Sequence, residues 1–228
     1  MRDILLSLFS HRFLAIARWD IHFLRLRIWN ALTRQKSRIR QELSKLEAPL
    51  FLNLGSGPRG LDVSHWVNVD GFRDKNVRYL VDFGRPLPFP DQSFDGVFCE
   101  HVMEHFSLAD GERVAREVHR VLRSGGCFRA IVPDAEFVLG RYFDAPEELV
   151  TRRGTGEETP MEIVNLYFRQ RYEHQFFYDW TTMEKMLLRA GFAVVCRSAF
   201  GKGRQCAPIV LDDEKYEWES LYVEAFKS

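Results

Sequence analysis

The chain has 228 residues, 46% hydrophobic and 28% charged, with 32 basic residues balanced by 32 acidic ones. That length buries one generous core with an appendage, and that composition excludes a disordered or fibrous protein. The zero net charge hides an asymmetry: residues 1–48 hold ten Lys or Arg against four Asp or Glu, an excess of six that the remainder offsets.

Residues 2–47 contain neither Gly nor Pro and carry apolar side chains at helical spacing, namely Phe13, Ile16 and Ala17, then Phe23, Leu24, Ile28, Ala31 and Leu32, with arginines between. The spacing predicts two or three helical pieces that end before Pro49. One reading of this N-terminal extension (1–48) is a basic amphipathic helix on a membrane surface, with Trp19 and Trp29 at the lipid interface. The other, favoured because apolar helical faces usually serve packing, has it cover the sheet or a second copy of the chain in a homodimer. Nucleic acid is not an expected partner, since the basic run contains no recognition module. No apolar run approaches the roughly 18 to 20 residues of a membrane span, and no signal-peptide pattern opens the chain. The expected location is the cytoplasm, peripheral at most to the inner face of the membrane. The cysteines, Cys99, Cys127, Cys196 and Cys206, show no paired spacing and are expected as free thiols.

The rest of the chain is organised around Leu50 to Gly60, LFLNLGSGPRG. A short apolar run entering Gly55-Ser56-Gly57 is the pattern of a buried parallel strand meeting a turn that a ligand can approach closely. Val67 to Asp70 and Val77 to Val81, the latter followed by Asp82 and Phe83, read as second and third strands, each leading into an acid. Asp95 to Glu100 is a fourth strand, Asp110 to Leu122 a helix closed by Gly125 and Gly126, and Cys127 to Val132 a fifth strand. Residues 134–180 read as an insertion, with a short helix, a polar loop over 151–160 and an aromatic run. Thr181-x-x-Glu184 is a capping box opening a further helix, and Ala193 to Ala199 and Trp218 to Phe226 are the last strands. Strands alternating with helices imply a parallel sheet with ligands at the carboxyl ends of its strands.

In this order the features resemble the class I S-adenosylmethionine-dependent methyltransferases, in the small form with a bare Rossmann-like core. LNLGSG is similar to the family's first motif, Asp70 to its ribose-binding acid and Asp82-Phe83 to its adenine-side motif. LPFPDQSFDGVFCEHVMEH and VHRVLRSGGCFRAIVPD resemble the stretches that follow. The resemblance implies an α/β, doubly wound, seven-stranded and mostly parallel sheet with an antiparallel last strand, over a domain of residues 49–228. It implies S-adenosylmethionine as cofactor, held by Asn53, Gly55, Ser56 and Gly57, by Asp70, by Asp82 and Phe83, and with Glu100 among the binding residues. Asn53 stands where the family often has an acid, and PRGLDVSHW makes a poor first helix. The acceptor expected is a small molecule or glycan, with a sugar or glycolipid hydroxyl preferred from the late stretch YEHQFFYDWTTMEKMLLRAGF.

Three rival readings use the same residues. Gly55, Gly57 and Gly60 spell the dinucleotide fingerprint, but Pro58 and the weak helix after it argue against a pyrophosphate site. His101-Val-Met-Glu104-His105 spells H-x-x-E-H, a zinc-peptidase pattern if helical, yet no third ligand segment accompanies it and no metal is expected. A degenerate binding subunit is the third. For an acceptor proton, His101 at the end of the fourth strand and His174, in the aromatic segment with Tyr178, are the candidate bases, because imidazole titrates near neutral pH.

Overall fold

The computed structural model describes residues 8–59, 65–153, 155–204 and 206–228. Seven strands, β1 (Phe51–Leu54), β2 (Trp66–Asp70), β3 (Tyr79–Leu80), β4 (Phe94–Glu100), β5 (Leu122–Pro133), β6 (Val194–Arg197) and β7 (Ser220–Phe226), form one sheet in the order β3-β2-β1-β4-β5-β7-β6. β1 to β5 pair in parallel, and β7 runs antiparallel to both β5 and β6. This is the mostly parallel sheet with an antiparallel last strand that the resemblance implies.

The strands split their side chains between two faces by simple alternation. Leu52, Leu54, Val97, Cys99, Phe128, Ala130 and Val132 point into the larger core. There they meet α2 (Gln35–Leu43) through Ile39 and Leu43, α3 (Leu108–Val121) through Val114, Ala115 and Val118, and α7 (Trp180–Arg189) through Met183, Met186 and Leu187. Phe98, Cys127, Ile131 and Tyr222 point the other way and are covered by Phe200, Cys206, Ile209 and Leu211 from the long β6–β7 connection. Cys127 and Cys206 come together there, with Cα atoms 5.7 Å apart, a juxtaposition that the spacing of the cysteines does not foretell; Cys99 and Cys196 stand apart.

The long helix α1 (His11–Leu32) lies along the sheet edge. Asn30 Nδ2 and, from α2, Gln35 Nε2 both donate to Leu80 O at 3.0 Å, and a His22 ring nitrogen lies 2.8 Å from Gly71 O. The packing reading of the extension thus describes its inner face, while Ile21, Leu24, Ile28 and Leu32 stay exposed on the outer one. No helix among the described residues is long and apolar enough to cross a membrane.

The insertion holds more regular structure than its composition suggests. α4 (Ala135–Asp144), α5 (Pro146–Arg153) and α6 (Pro160–Arg169) pack through Val138, Leu149, Ile163, Val164 and Tyr167 into a small core of their own. A full capping box opens α6, with Thr159 as N-cap, Glu162 three residues on and Pro160 at the first helical position. The box expected at Thr181 is not used: α7 starts two residues earlier, where Asp179 accepts from Thr182 N–H at 2.8 Å. After the glycine turn only a single 3-10 turn, Gly57–Arg59, is seen; Gly60 and residues 61–64 lie outside the described residues.

Candidate functional site

A cavity of about 940 Å³ opens where β1, β2 and β4 end. β1 runs into Gly55, whose φ of +77° lies in the left-handed region; a Cβ there would stand 2.2 Å from Val102 Cγ2. Backbone conformation and close approach both demand glycine at this position. Asp70, ending β2, accepts from Gly57 N–H through Oδ2 and from Phe72 N–H through Oδ1, each at 2.9 Å. A carboxylate has about four lone-pair directions, so Asp70 shapes the turn and retains acceptor capacity at the cavity wall.

The other expected cofactor residues line the same cavity. Asn53 Nδ2 donates to Asn68 Oδ1 at 3.2 Å, tying β1 to its register partner in β2. Ser56 is buried and its Oγ finds no hydrogen-bond partner among the described residues, an orphan at the cavity floor. Asp82 accepts from Gly84 N–H at 2.9 Å through Oδ1, and its Oδ2 meets Arg27 Nε of α1 at 3.2 Å, with Phe83 buried beside it. Glu100 accepts from Asp213 N–H at 2.8 Å. A glycine turn that admits a backbone-close ligand, an unpaired buried hydroxyl and two strand-end acids together suit the adenosine and methionine halves of S-adenosylmethionine.

Sequence spacing gave no sign of the cavity's third wall. Trp19, His22 and Phe23 of α1 line it, with His22 stacked on Phe72 at 4.4 Å between ring centroids. Such a contact joins positions about fifty residues apart, beyond the reach of any local pattern. Asp213, Lys215 and Tyr216, from the 3-10 segment before β7, close the far side.

At that far side stand the histidines. His101 has a left-handed backbone, φ 52°, which turns its ring toward Ser220 Oγ, 2.9 Å from Nε2, and stacks it on Tyr216 at 3.9 Å. Its Nδ1 lies 3.3 Å from Glu104 Oε1. Met103–His105 is one 3-10 turn, so His101 and His105 do not share a helical face as the peptidase pattern requires. His174 does not line the cavity: Gln175 N–H and Phe176 N–H donate to Glu104 O at 2.8 and 3.2 Å, and this clamp sets His174 behind His105, ring centroids 4.9 Å apart. Tyr178 is fully buried in the core with its hydroxyl 3.8 Å from Met186 Sδ, so it does not share a site with His174. Burial pushes the His174 imidazole toward its neutral form, the Tyr167 carbonyl pulling the other way. Burial also works against a charge on Glu104, but His101, His105 and His174 around it prevail and hold its carboxyl below the usual range.

Residues 60–130 match the family model described as a methyltransferase domain, on a sheet with the strand order and single antiparallel strand of that fold. The match spans 71 of the 228 residues and shows that this stretch is similar to a methyltransferase domain. The chain is 44% identical over 54 residues to an uncharacterized methyltransferase, YcgJ, of Bacillus subtilis (strain 168), a stretch covering 24% of this chain and 21% of that protein. It is 37% identical over 65 residues to a sterol 24-C-methyltransferase of Yarrowia lipolytica (strain CLIB 122 / E 150), covering 28% of this chain and 16% of that protein. The matched stretches therefore span about a fifth or less of either relative. Among solved structures, a SAM-dependent methyltransferase from Archaeoglobus fulgidus superposes with a TM-score of 0.49 at 14% identity, over 86% of this chain and 94% of that one.

Proposed function

We propose that this chain is a methyltransferase that uses S-adenosylmethionine to methylate a hydroxyl group of a small molecule or glycan. The observation that carries the reading is one cavity lined at one end by Gly55, Ser56, Gly57, Asp70, Asp82 and Phe83 and at the other by Glu100 and His101. Bound there, the cofactor supplies an electrophilic methyl group, so the protein's task is chiefly to position the acceptor and exclude water. Asp70 would bind the ribose hydroxyls, Gly55, Ser56 and Gly57 the methionine side, and Asp82 with Phe83 the adenine. α1 covers the adenosine end through Phe23 and His22. His101 suits a proton acceptor: with Nδ1 facing the Glu104 carboxylate, the proton belongs on Nδ1 and Nε2 keeps its lone pair toward Ser220. A sugar or glycolipid hydroxyl is the acceptor class we favour, in keeping with the resemblance of the late aromatic stretch.

Calorimetric titration with the demethylated cofactor tests the reading. Asp70→Ala is expected to weaken binding by about 1.5–3 kcal/mol, the size of a hydrogen bond to a charged group. Unchanged affinity removes Asp70 from the site, and no binding by the wild-type chain overturns the reading.

A further inference from the structure

One cluster behind the cavity wall is not used by that reading. Glu104 is buried to 1% exposure; its Oε1 faces only His101 Nδ1, at 3.3 Å, and its Oε2 accepts no hydrogen bond among the described residues. A buried charge in that condition is costly and calls for a partner of opposite sign. Each residue of Glu104, His105 and His174 offers a ligand atom within 4.8 Å of those of the other two.

The two imidazoles are already set for ligation. His105 Nδ1 lies 3.2 Å from Glu173 O, and His174 Nδ1 lies 2.6 Å from Tyr167 O. A carbonyl only accepts, so each Nδ1 carries the proton and each Nε2 keeps its lone pair. Metal-binding histidines are oriented by this same kind of outer hydrogen bond. His101 Nδ1, 3.3 Å from Glu104 Oε1, supplies the corresponding donor for the carboxylate and leaves Oε2 as the ligand atom. The backbone clamp from Gln175 and Phe176 to Glu104 O holds the His174 segment against the turn bearing Glu104 and His105.

We propose that Glu104, His105 and His174 form a binding site for one divalent first-row transition metal ion, with His101 as a positioning residue. Two imidazoles and one carboxylate suit Zn²⁺, Fe²⁺, Mn²⁺ or Ni²⁺ better than Mg²⁺ or Ca²⁺, which prefer all-oxygen sites. Three protein ligands leave coordination positions open, and His105 lines the cavity beside His101. The metal site does not rest on the methyltransferase reading.

The test uses the full chain, purified with chelator and dialysed free of metal, and titrates it calorimetrically with ZnCl₂, MnCl₂ and MgCl₂ in the absence of cofactor. Wild type is expected to bind one Zn²⁺ or Mn²⁺ per chain, with Mg²⁺ much weaker. His105→Ala and His174→Gln are expected to lose at least tenfold in affinity, and Glu104→Gln at least a hundredfold. Circular dichroism melts and titration with the demethylated cofactor confirm that each variant remains folded. If Glu104→Gln unfolds the chain, the two histidine variants decide. Absent or substoichiometric binding by wild type, or affinity unchanged in both histidine variants, overturns the metal site. Failure to bind the demethylated cofactor overturns the methyltransferase reading without touching the metal result.

Discussion

At the scale of single residues, the turn after β1 shows how narrowly a backbone can specify its side chains. Gly55 combines a φ of +77° with a neighbour, Val102, whose Cγ2 would stand 2.2 Å from an added Cβ, far inside van der Waals contact. Gly55→Ala is expected to lower the melting temperature by several degrees and to weaken binding of the demethylated cofactor at least tenfold, both readable on one purified variant. Positive φ alone costs an alanine about 1 kcal/mol, and the overlap adds to it. His119 offers a pH prediction. Half-buried beside Gly191 and edge-on to Phe192 at 5.2 Å, it is held toward its neutral form by burial, with Lys227 acting in the same direction. Its folded pKa lies below its unfolded value of about 6.5, so the unfolded chain binds the proton more readily. The stability it contributes is full above that unfolded value and declines as pH falls toward the folded one. Thermal melts between pH 7.5 and pH 5 are expected to fall more steeply for wild type than for His119→Gln, which has no proton to gain.

At the scale of elements, α1 is the part whose pattern and placement diverge most. Its helical spacing is plain in the sequence, and the apolar residues on that spacing belong to two faces with different fates. Phe23 closes over Gly71, where its ring atoms would stand 2.9 Å from an added Cβ, whereas Leu24 and Ile28 face solvent. Phe23→Ala opens the end of the cavity proposed for adenosine. Its expected effect is a five- to fiftyfold faster release of the demethylated cofactor in stopped-flow measurements, with global stability changed by less than about 2 kcal/mol, because the helix keeps the Asn30 hydrogen bond to Leu80 O and the His22 contact with Gly71 O. An unchanged release rate would show that α1 does not cover bound cofactor. The insertion teaches a related lesson. Thr159-Pro160-x-Glu162 is a strong helix start, yet it is embedded in residues of loop composition. The helix it opens exists because Ile163, Val164 and Tyr167 find Leu149 and Val138 to pack against.

At the scale of the whole molecule, Arg129 joins the last third of the chain to the sheet. It is fully buried in β5; its Nε donates to Asp212 Oδ1 at 2.7 Å, its Nη1 reaches Glu224 Oε1 at 3.1 Å and Lys202 O at 3.0 Å, and its Nη2 donates to Ala199 O at 3.0 Å. Arg129→Leu leaves two buried carboxylates without their cation. It is expected to cost about 3–5 kcal/mol in urea unfolding. Arg129→Leu combined with Asp212→Asn and Glu224→Gln is expected to recover part of that loss, since the three charges are desolvated together. The sequence by itself determined the run of strands along the parallel half, the glycine turn and the acids that follow it. These are local: a short apolar run, a required φ and the end of a strand are written in a few adjacent residues. Only the tertiary structure decided that Asp82 meets Arg27, that Cys127 meets Cys206, that Tyr178 is core, and that Glu104, His105 and His174 converge. Each of these contacts depends on segments whose separation along the chain carries no periodic signal, and on local turns, such as the left-handed backbone at His101 and the helix start at Asp179, that redirect the side chains beyond them.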